Sequence, residues 1–295
     1  MSTATEVHHD VTPADETPEG SGHRPFGIGM WIAVGWLAAL SLAAFFADLL
    51  PLADYKDTKA GEPLTGFSST NLLGTDSLGR DLLSRVVYGA RVSILVGIGA
   101  VILSSVVGGM IGLLAGYFRG KSEKAIMFFT DVLLAFPALL LAIGVVTFTQ
   151  SRGPLTVVGV IALIYLGPTI RLVRGLTISV REREYILIAR ALGAKNARII
   201  FREVMPNVIP ALLSIAVVAV AGAIVAEGGL AYLNLSVAPP APTWGSMMAA
   251  GVGRVMKQSL YPSLVPASVM FLTVFSLMFI GDRLQERNQT RESVL

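Results

Sequence analysis

Long uncharged apolar runs alternate with short charged stretches along the chain. A membrane-spanning helix needs roughly 20 mostly apolar residues, each rising about 1.5 Å. Six runs meet or nearly meet that length. The first lies between Arg24 and Asp48, the second between Arg91 and Arg119, and the third between Lys124 and Arg152 with Asp131 inside it. The fourth lies between Arg152 and Arg171, the fifth between Glu203 and Glu227, and the sixth between Lys257 and Asp282. A seventh uncharged run, from Gly228 to Gly253, carries Pro239, Pro240 and Pro242 with Asn234, Ser236 and Thr243. That is turn chemistry, so it reads as the end of the fifth span plus an external loop. The pattern predicts an all-α polytopic membrane protein with six transmembrane helices.

An even number of spans puts both termini on one side, and the positive-inside rule chooses which. With the termini inside, 15 Lys and Arg fall on that side and 8 on the other. Both termini are therefore expected in the cytoplasm. Residues 1–25 are polar and acidic, lack the apolar core of a secretory signal, and read as a disordered cytoplasmic tail. A membrane domain follows over 26–285, with outer loops at 51–90 and 234–262, a charged cytoplasmic segment at 181–206, and a cytoplasmic C-terminal tail at 286–295.

Composition narrows the chemistry. The 295 residues are 53% hydrophobic and 15% charged, against about 25% charged in soluble domains. A net charge of +3 is too balanced to suggest a nucleic-acid partner. Cysteine is absent, and the three histidines are His8, His9 and His23. The hydrophobic body thus has no residues for a His-ligated haem or zinc, a Ser–His nucleophile pair or a thiol relay.

Several constellations remain. Gly108, Gly112 and Gly116 recur at every fourth position and flatten one helix face. That seam suits either an intersubunit or pore-lining contact or packing within the chain. Residues Ala115 to Ser122 nearly fit a phosphate-binding loop, with Lys121 in the lysine position. No sheet is expected to support such a loop, so the segment reads as a cytoplasmic turn in which Ser122 caps the third span. Asp131 and Glu227 are ionisable residues at membrane depth, where a pathway or proton site and a structural hydrogen bond are the competing roles. Finally, Tyr185, Ile188, Ala189 and Leu192 fall at i, i+3, i+4 and i+7, one apolar helical face. Gly193 follows as a C-cap, and a second helical stretch rises to Pro206. The segment is either a solvated loop helix or a short docking helix offered to a cytoplasmic partner.

Here the sequence resembles permeases of ATP-binding-cassette importers. These carry a cytoplasmic pattern of Glu-Ala-Ala, three residues, Gly, and Pro thirteen residues later. Ala189, Gly193 and Pro206 match that spacing, while Leu187 stands at the usual Glu position, with Glu184 the nearest acid upstream. Glu203 occupies a position often held by His, and Met205 replaces the Leu before the proline. The stretches LLGTDSLGRDLLSRVVYGAR, DVLLAFPALLLA, GGLAYLNLSVAPPAPTWGSMMAAG and FIGDRLQER are similar to the second, C-type permease subunit of the peptide/nickel branch. The resemblance implies a type I importer permease fold in the cytoplasmic (inner) membrane. It implies a second homologous permease subunit, two ATPase subunits that bind ATP and Mg, and an extracytoplasmic substrate-binding protein. This chain would itself bind no cofactor or metal and catalyse nothing. Glu184, Tyr185, Ile188, Ala189, Leu192, Gly193 and Pro206 would form the ATPase-coupling segment. The cargo would be a di- or oligopeptide, or less often nickel or another small solute.

Other classes compete. A membrane enzyme would need Asp131 and Glu227 to converge, yet they start from opposite sides of the bilayer. A proton-coupled carrier and a non-transporting membrane scaffold would share the same spans.

Overall fold

The computed structural model describes residues 27–292; the tail expected over 1–25 lies outside the described residues. Helices α1 (Ile28–Phe45), α2 (Leu82–Phe118), α3 (Lys121–Ala135), α4 (Ala138–Thr149) and α5 (Pro154–Arg181) come first. A short helix α6 (Glu184–Ala191) precedes α7 (Asn196–Arg198), which passes through a π-helical turn (Ile199–Val204) into α8 (Met205–Tyr232). Then come α9 (Trp244–Ala250), α10 (Arg254–Gln258) and α11 (Tyr261–Glu292). Among the described residues the only β pairing is an isolated bridge between Thr75 and Asp81. Five rods are long and apolar enough to cross a membrane: α1, α2, α5, the continuous Asn196–Tyr232 rod, and Tyr261–Asn288 within α11.

The remaining apolar run, the third of the six, is broken. In place of one straight span between Lys124 and Arg152, α3 and α4 meet at 89°. Pro137 has no N–H to donate, and its ring forces Phe136 into an extended conformation with ψ 129°. Other boundaries move as well. Helix α2 begins at Leu82 rather than near Arg91, because the Asp81 carboxylate accepts the Ser84 amide at 2.8 Å and caps it. Helix α11 continues to Glu292, through most of the expected C-terminal tail. The loop expected over 234–262 contains α9, closed by a reciprocal capping box between Thr243 and Ser246.

The most extensive packing is between α2 and α5, where Gly108, Gly112 and Gly116 all lie against α5. A Cβ at Gly112 would sit 2.6 Å from the Ile170 carbonyl oxygen and 3.0 Å from the Val173 Cβ. One at Gly116 would lie 2.8 Å from the Arg174 oxygen, and one at Gly108 3.2 Å from the Leu166 oxygen. The seam is therefore an intrachain contact in which one backbone lies on another. Such an approach gathers dispersion and Cα–H contacts where lipid tails supply no hydrophobic drive. Around it Val96, Ala100, Val157, Ile161 and Ala223 close a buried core shared by α2, α5 and α8.

Helix α1 is fastened at one end. Arg91 donates to the Ala44 carbonyl at 2.9 Å and pairs with Asp48 at 2.9 Å, and the Tyr88 hydroxyl also donates to Asp48 at 3.0 Å. Arg91, then Tyr88, hold that carboxyl below its ordinary range.

Gly112→Leu is expected to force α2 and α5 apart, at a cost of roughly 1–3 kcal/mol for an overpacked contact. Gly109→Ala is the matched control, since its Cβ would meet only the Leu212 side chain at 3.7 Å. Thermal unfolding of the purified protein in detergent should show a lowered midpoint for the leucine variant alone. Equal midpoints would contradict the seam.

Candidate functional site

Candidate functional side chains gather at the two ends of the helix bundle. At one end α6 stands across the ends of α2, α5 and α7. Glu184 in its first turn and Arg190 in its last complement the helix dipole. Gly193, at φ +80°, then reverses the chain. The Gly193 amide donates to the Arg190 carbonyl at 3.0 Å and the Ala194 amide to the Ala189 carbonyl at 3.1 Å, the two bonds of a Schellman stop.

What holds α6 is a residue that the apolar-face reading passed over. Ile186 is fully buried against a cluster that includes Leu113, Val173, Ile199 and Val204. Tyr117 is the second support. Its hydroxyl donates to Asn196 Oδ1 at 2.8 Å, and the guanidinium groups of Arg181 and Arg190 stand 5.9 and 5.8 Å from its ring centre. One aromatic ring thus joins α2, α5, α6 and α7. Its two cation–π contacts and one hydrogen bond connect residues distant in sequence, so the periodicity carries no sign of them.

With Ile186 turned inward, the opposite face of α6 is apolar and open. Tyr185 and Leu187 are exposed, Ile188 is 58% exposed and Leu192 is 83% exposed. Ala189 is half-buried and Glu184 is exposed. Pro206 lies in the first turn of α8, just after the π-helical turn. Its ring and missing N–H do not fit an i→i+4 ladder, which accounts for the wider turn before it.

The near phosphate loop takes another form. Ala115 to Phe118 finish α2, Arg119 and Gly120 turn at φ 49° and 77°, and Lys121 opens α3. No sheet backs it. The N-cap is Gly120 without a side-chain bond, and Ser122 instead donates to the Arg119 carbonyl at 3.2 Å.

At the opposite end, Glu227 is 1% exposed and closes a hydrogen-bonded knot. The Ser236 hydroxyl donates to its carboxylate, and Gly245 of α9 lies against its other oxygen. The Trp244 amide donates to Ser93 Oγ at 3.1 Å, and the buried Trp244 indole donates to the Val86 carbonyl at 3.1 Å. Gly245 lies so close to α8 that a Cβ there would meet Gly228 Cα at 2.5 Å. Glu227 therefore joins α8, the proline-rich loop and α9, and Trp244 ties α9 to α2. Beside it is a structured segment in which Asp76 pairs with Arg80 at 2.7 Å and Arg85 at 3.5 Å, while Asn71 donates to Asp81 at 3.0 Å.

Asp131 is held differently. It pairs with Arg171 of α5 at 2.7 Å, and further along the same two helices Glu123 is bonded to Arg174. Asp131 and Glu227 thus belong to separate networks and do not form a shared acid–base site.

Comparison with known proteins adds an independent line. Residues 108–292 match the family described as "Binding-protein-dependent transport system inner membrane component". A glutathione transport system permease protein of Pectobacterium atrosepticum is 35% identical, over 86% of this chain and 85% of that one. A dipeptide transport system permease protein of Alkalihalophilus pseudofirmus is 36% identical, over 85% and 82%. An oligopeptide transport system permease protein of Bacillus subtilis is 31% identical, over 85% and 81%. A solved chain of an inward-facing methionine ABC transporter superposes with a TM-score of 0.57 at 14% identity, covering 69% of this chain and 96% of that one. That likeness shows a shared fold.

Glu227→Ala is expected to leave the buried Ser236 hydroxyl without its acceptor, at a cost of about 1–3 kcal/mol. Hydrogen exchange should then rise at the amides of α9 while those of α6 stay protected. Unchanged exchange at α9 would show that the knot does not depend on this carboxylate.

Proposed function

This chain belongs to the binding-protein-dependent transport system inner membrane component family, and on that premise we propose that it is the permease subunit of an ATP-driven importer of di- and oligopeptides. It forms half of the translocation path with a second, homologous permease subunit. Two ATPase subunits, which bind ATP and Mg, sit beneath the α6 end, and an extracytoplasmic binding protein delivers cargo to the α9 end. The chain is multi-pass in the inner membrane with both termini in the cytoplasm, as the excess of Lys and Arg on that side supports. Glutathione, dipeptides and oligopeptides in the names of its relatives support a peptide cargo.

The observation that carries the proposal is the form of α6. A solvated loop helix would show water a polar face, whereas α6 buries one isoleucine and leaves Tyr185, Leu187, Ile188 and Leu192 exposed. An apolar knob of that kind fits a groove on another protein. Because Ile186 and Tyr117 fix α6 to the ends of α2 and α5, displacement of the knob by closing ATPases moves the spans. A proton-coupled carrier gains nothing from the two acids, since Asp131 is ion-paired and Glu227 is buried and accepts the Ser236 hydroxyl.

The test is a reconstituted complex of both permeases, both ATPases and the binding protein, with uptake and ATP hydrolysis measured together. Gly193→Val puts a β-branched residue at φ +80°, a strain on the order of 1–3 kcal/mol, and tilts the knob. Ile188→Glu places a charge in the groove without touching the core. Both variants are expected either to lose the ATPases or to hydrolyse ATP with uptake per ATP reduced by about tenfold, the equivalent of 1.4 kcal/mol. Normal uptake per ATP in both would show that α6 does not couple. Uptake of nickel with no uptake of peptide would move the cargo to the other branch.

A further inference from the structure

Helix α5 is the best enclosed of the spans, and its open positions form a line. Apart from Leu155 at its other end, its exposed residues are Pro168, Arg171, Gly175 and Ser179. They are spaced three, four and four apart, so they share one face that runs to Glu182 just beyond the helix. A face turned to lipid carries large apolar side chains, as α1 does with Trp31, Ile32 and Phe45 exposed. The open face of α5 has none. A Cβ at Gly175 would meet no atom within 4 Å, so the line is also unobstructed.

The Asp131–Arg171 pair opens onto this line. Arg171 lies ten residues before the end of α5, about 15 Å into the helix. Its side chain is 53% exposed and that of Asp131 is 57% exposed. The neighbouring pair differs. Glu123 is bonded by both Nε and Nη2 of Arg174, and its side chain is only 15% exposed. The Asp131 pair rests instead on a single bond from Nη2 to Oδ1. The second carboxylate oxygen and most of the guanidinium fork are thus open to a ligand. Half-exposed opposite charges at membrane depth face water or protein, not hydrocarbon.

We infer that Arg171 and Asp131 are a way-station for the charged ends of a zwitterionic peptide, Arg171 taking the α-carboxylate and Asp131 the α-ammonium. The inference rests on the peptide reading given above. An arginine fork matches a carboxylate in two-toothed fashion. A bound peptide replaces the internal bond with two of its own, so the pair meets a zwitterion without leaving a bare charge. On release the pair re-forms, which keeps the station weak enough for passage. Gly175 and Ser179 carry the same polar face on toward the α6 end.

The experiment uses the reconstituted complex with radiolabelled Ala-Ala and, separately, a dipeptide containing photo-leucine. Three variants are compared with the parent: Arg171→Gln, Asp131→Asn, and the exchanged pair Asp131→Arg with Arg171→Asp. The exchange keeps an ion pair between α3 and α5 but reverses which charge lies on which helix. All three are expected to assemble and hydrolyse ATP, with uptake per ATP lowered at least fivefold. Light-induced labelling of α3 and α5 should fall by a similar factor. Uptake restored to within twofold by the exchanged pair would reduce the bridge to a structural brace and overturn the inference. So would loss of the second permease from the purified single variants, which would make the pair a subunit contact. A parent complex that hydrolyses ATP but takes up no dipeptide would overturn the peptide reading and the station together; the variant results bear on the station alone.

Discussion

Two backbones in contact set the geometry of this protein. Gly108, Gly112 and Gly116 let α2 lie on the carbonyl oxygens of Leu166, Ile170 and Arg174 in α5 and on the Cβ atoms of Thr169, Val173 and Thr177 beside them. In lipid, apolar side chains gain little from meeting one another, so close approach and dispersion must hold helices together. A contact of this kind has little room to slide. It makes α2 and α5 one rod, and the other parts are mounted on it.

The two ends use that rod in opposite ways. At the α9 end, polar groups are turned inward and paired: Ser236 donates to Glu227, Ser93 accepts the Trp244 amide and Thr243 caps α9, with Trp244 as the apolar filler. At the α6 end the apolar side chains are turned outward. One residue, Ile186, is given to the core, and the rest of the face is left uncovered. A closed polar knot at one end and an open apolar knob at the other suit a part that is held in the membrane and pushed from one side.

Much of this was legible in the residues. Span lengths follow from uncharged runs, and the turn at Gly193 follows from a glycine after an apolar helical period. The break at Pro137 was written in the sequence, since a proline cannot continue the ladder of α3, but hydropathy alone runs straight through it. The early start of α2 was hidden because Arg91 reads as the span limit, although Asp81 caps the helix and Arg85 is buried beside Asp76. Trp244 sits among prolines, and only its contacts with α2 make a helix there worthwhile. Tyr117 gave no signal, because its importance lies in Asn196, Arg181 and Arg190, all brought to it by the fold. Local pattern reveals elements, while contacts between distant segments decide which face of an element is inside.

The central claim is that α6 and the α2–α5 rod move as one body. The chain contains no cysteine, so spin labels can be placed specifically at Leu114→Cys on α2 and Ala191→Cys on α6. Both positions are exposed. The distance between them should be measured by pulsed electron resonance in the assembled complex, without nucleotide and with ATP trapped. Motion as one body predicts one narrow distribution that shifts by no more than about 1–2 Å, the scale of small helix adjustments. A second population, or a shift of a full helical turn of about 5 Å, would show that α6 swings on its own, and would contradict the claim.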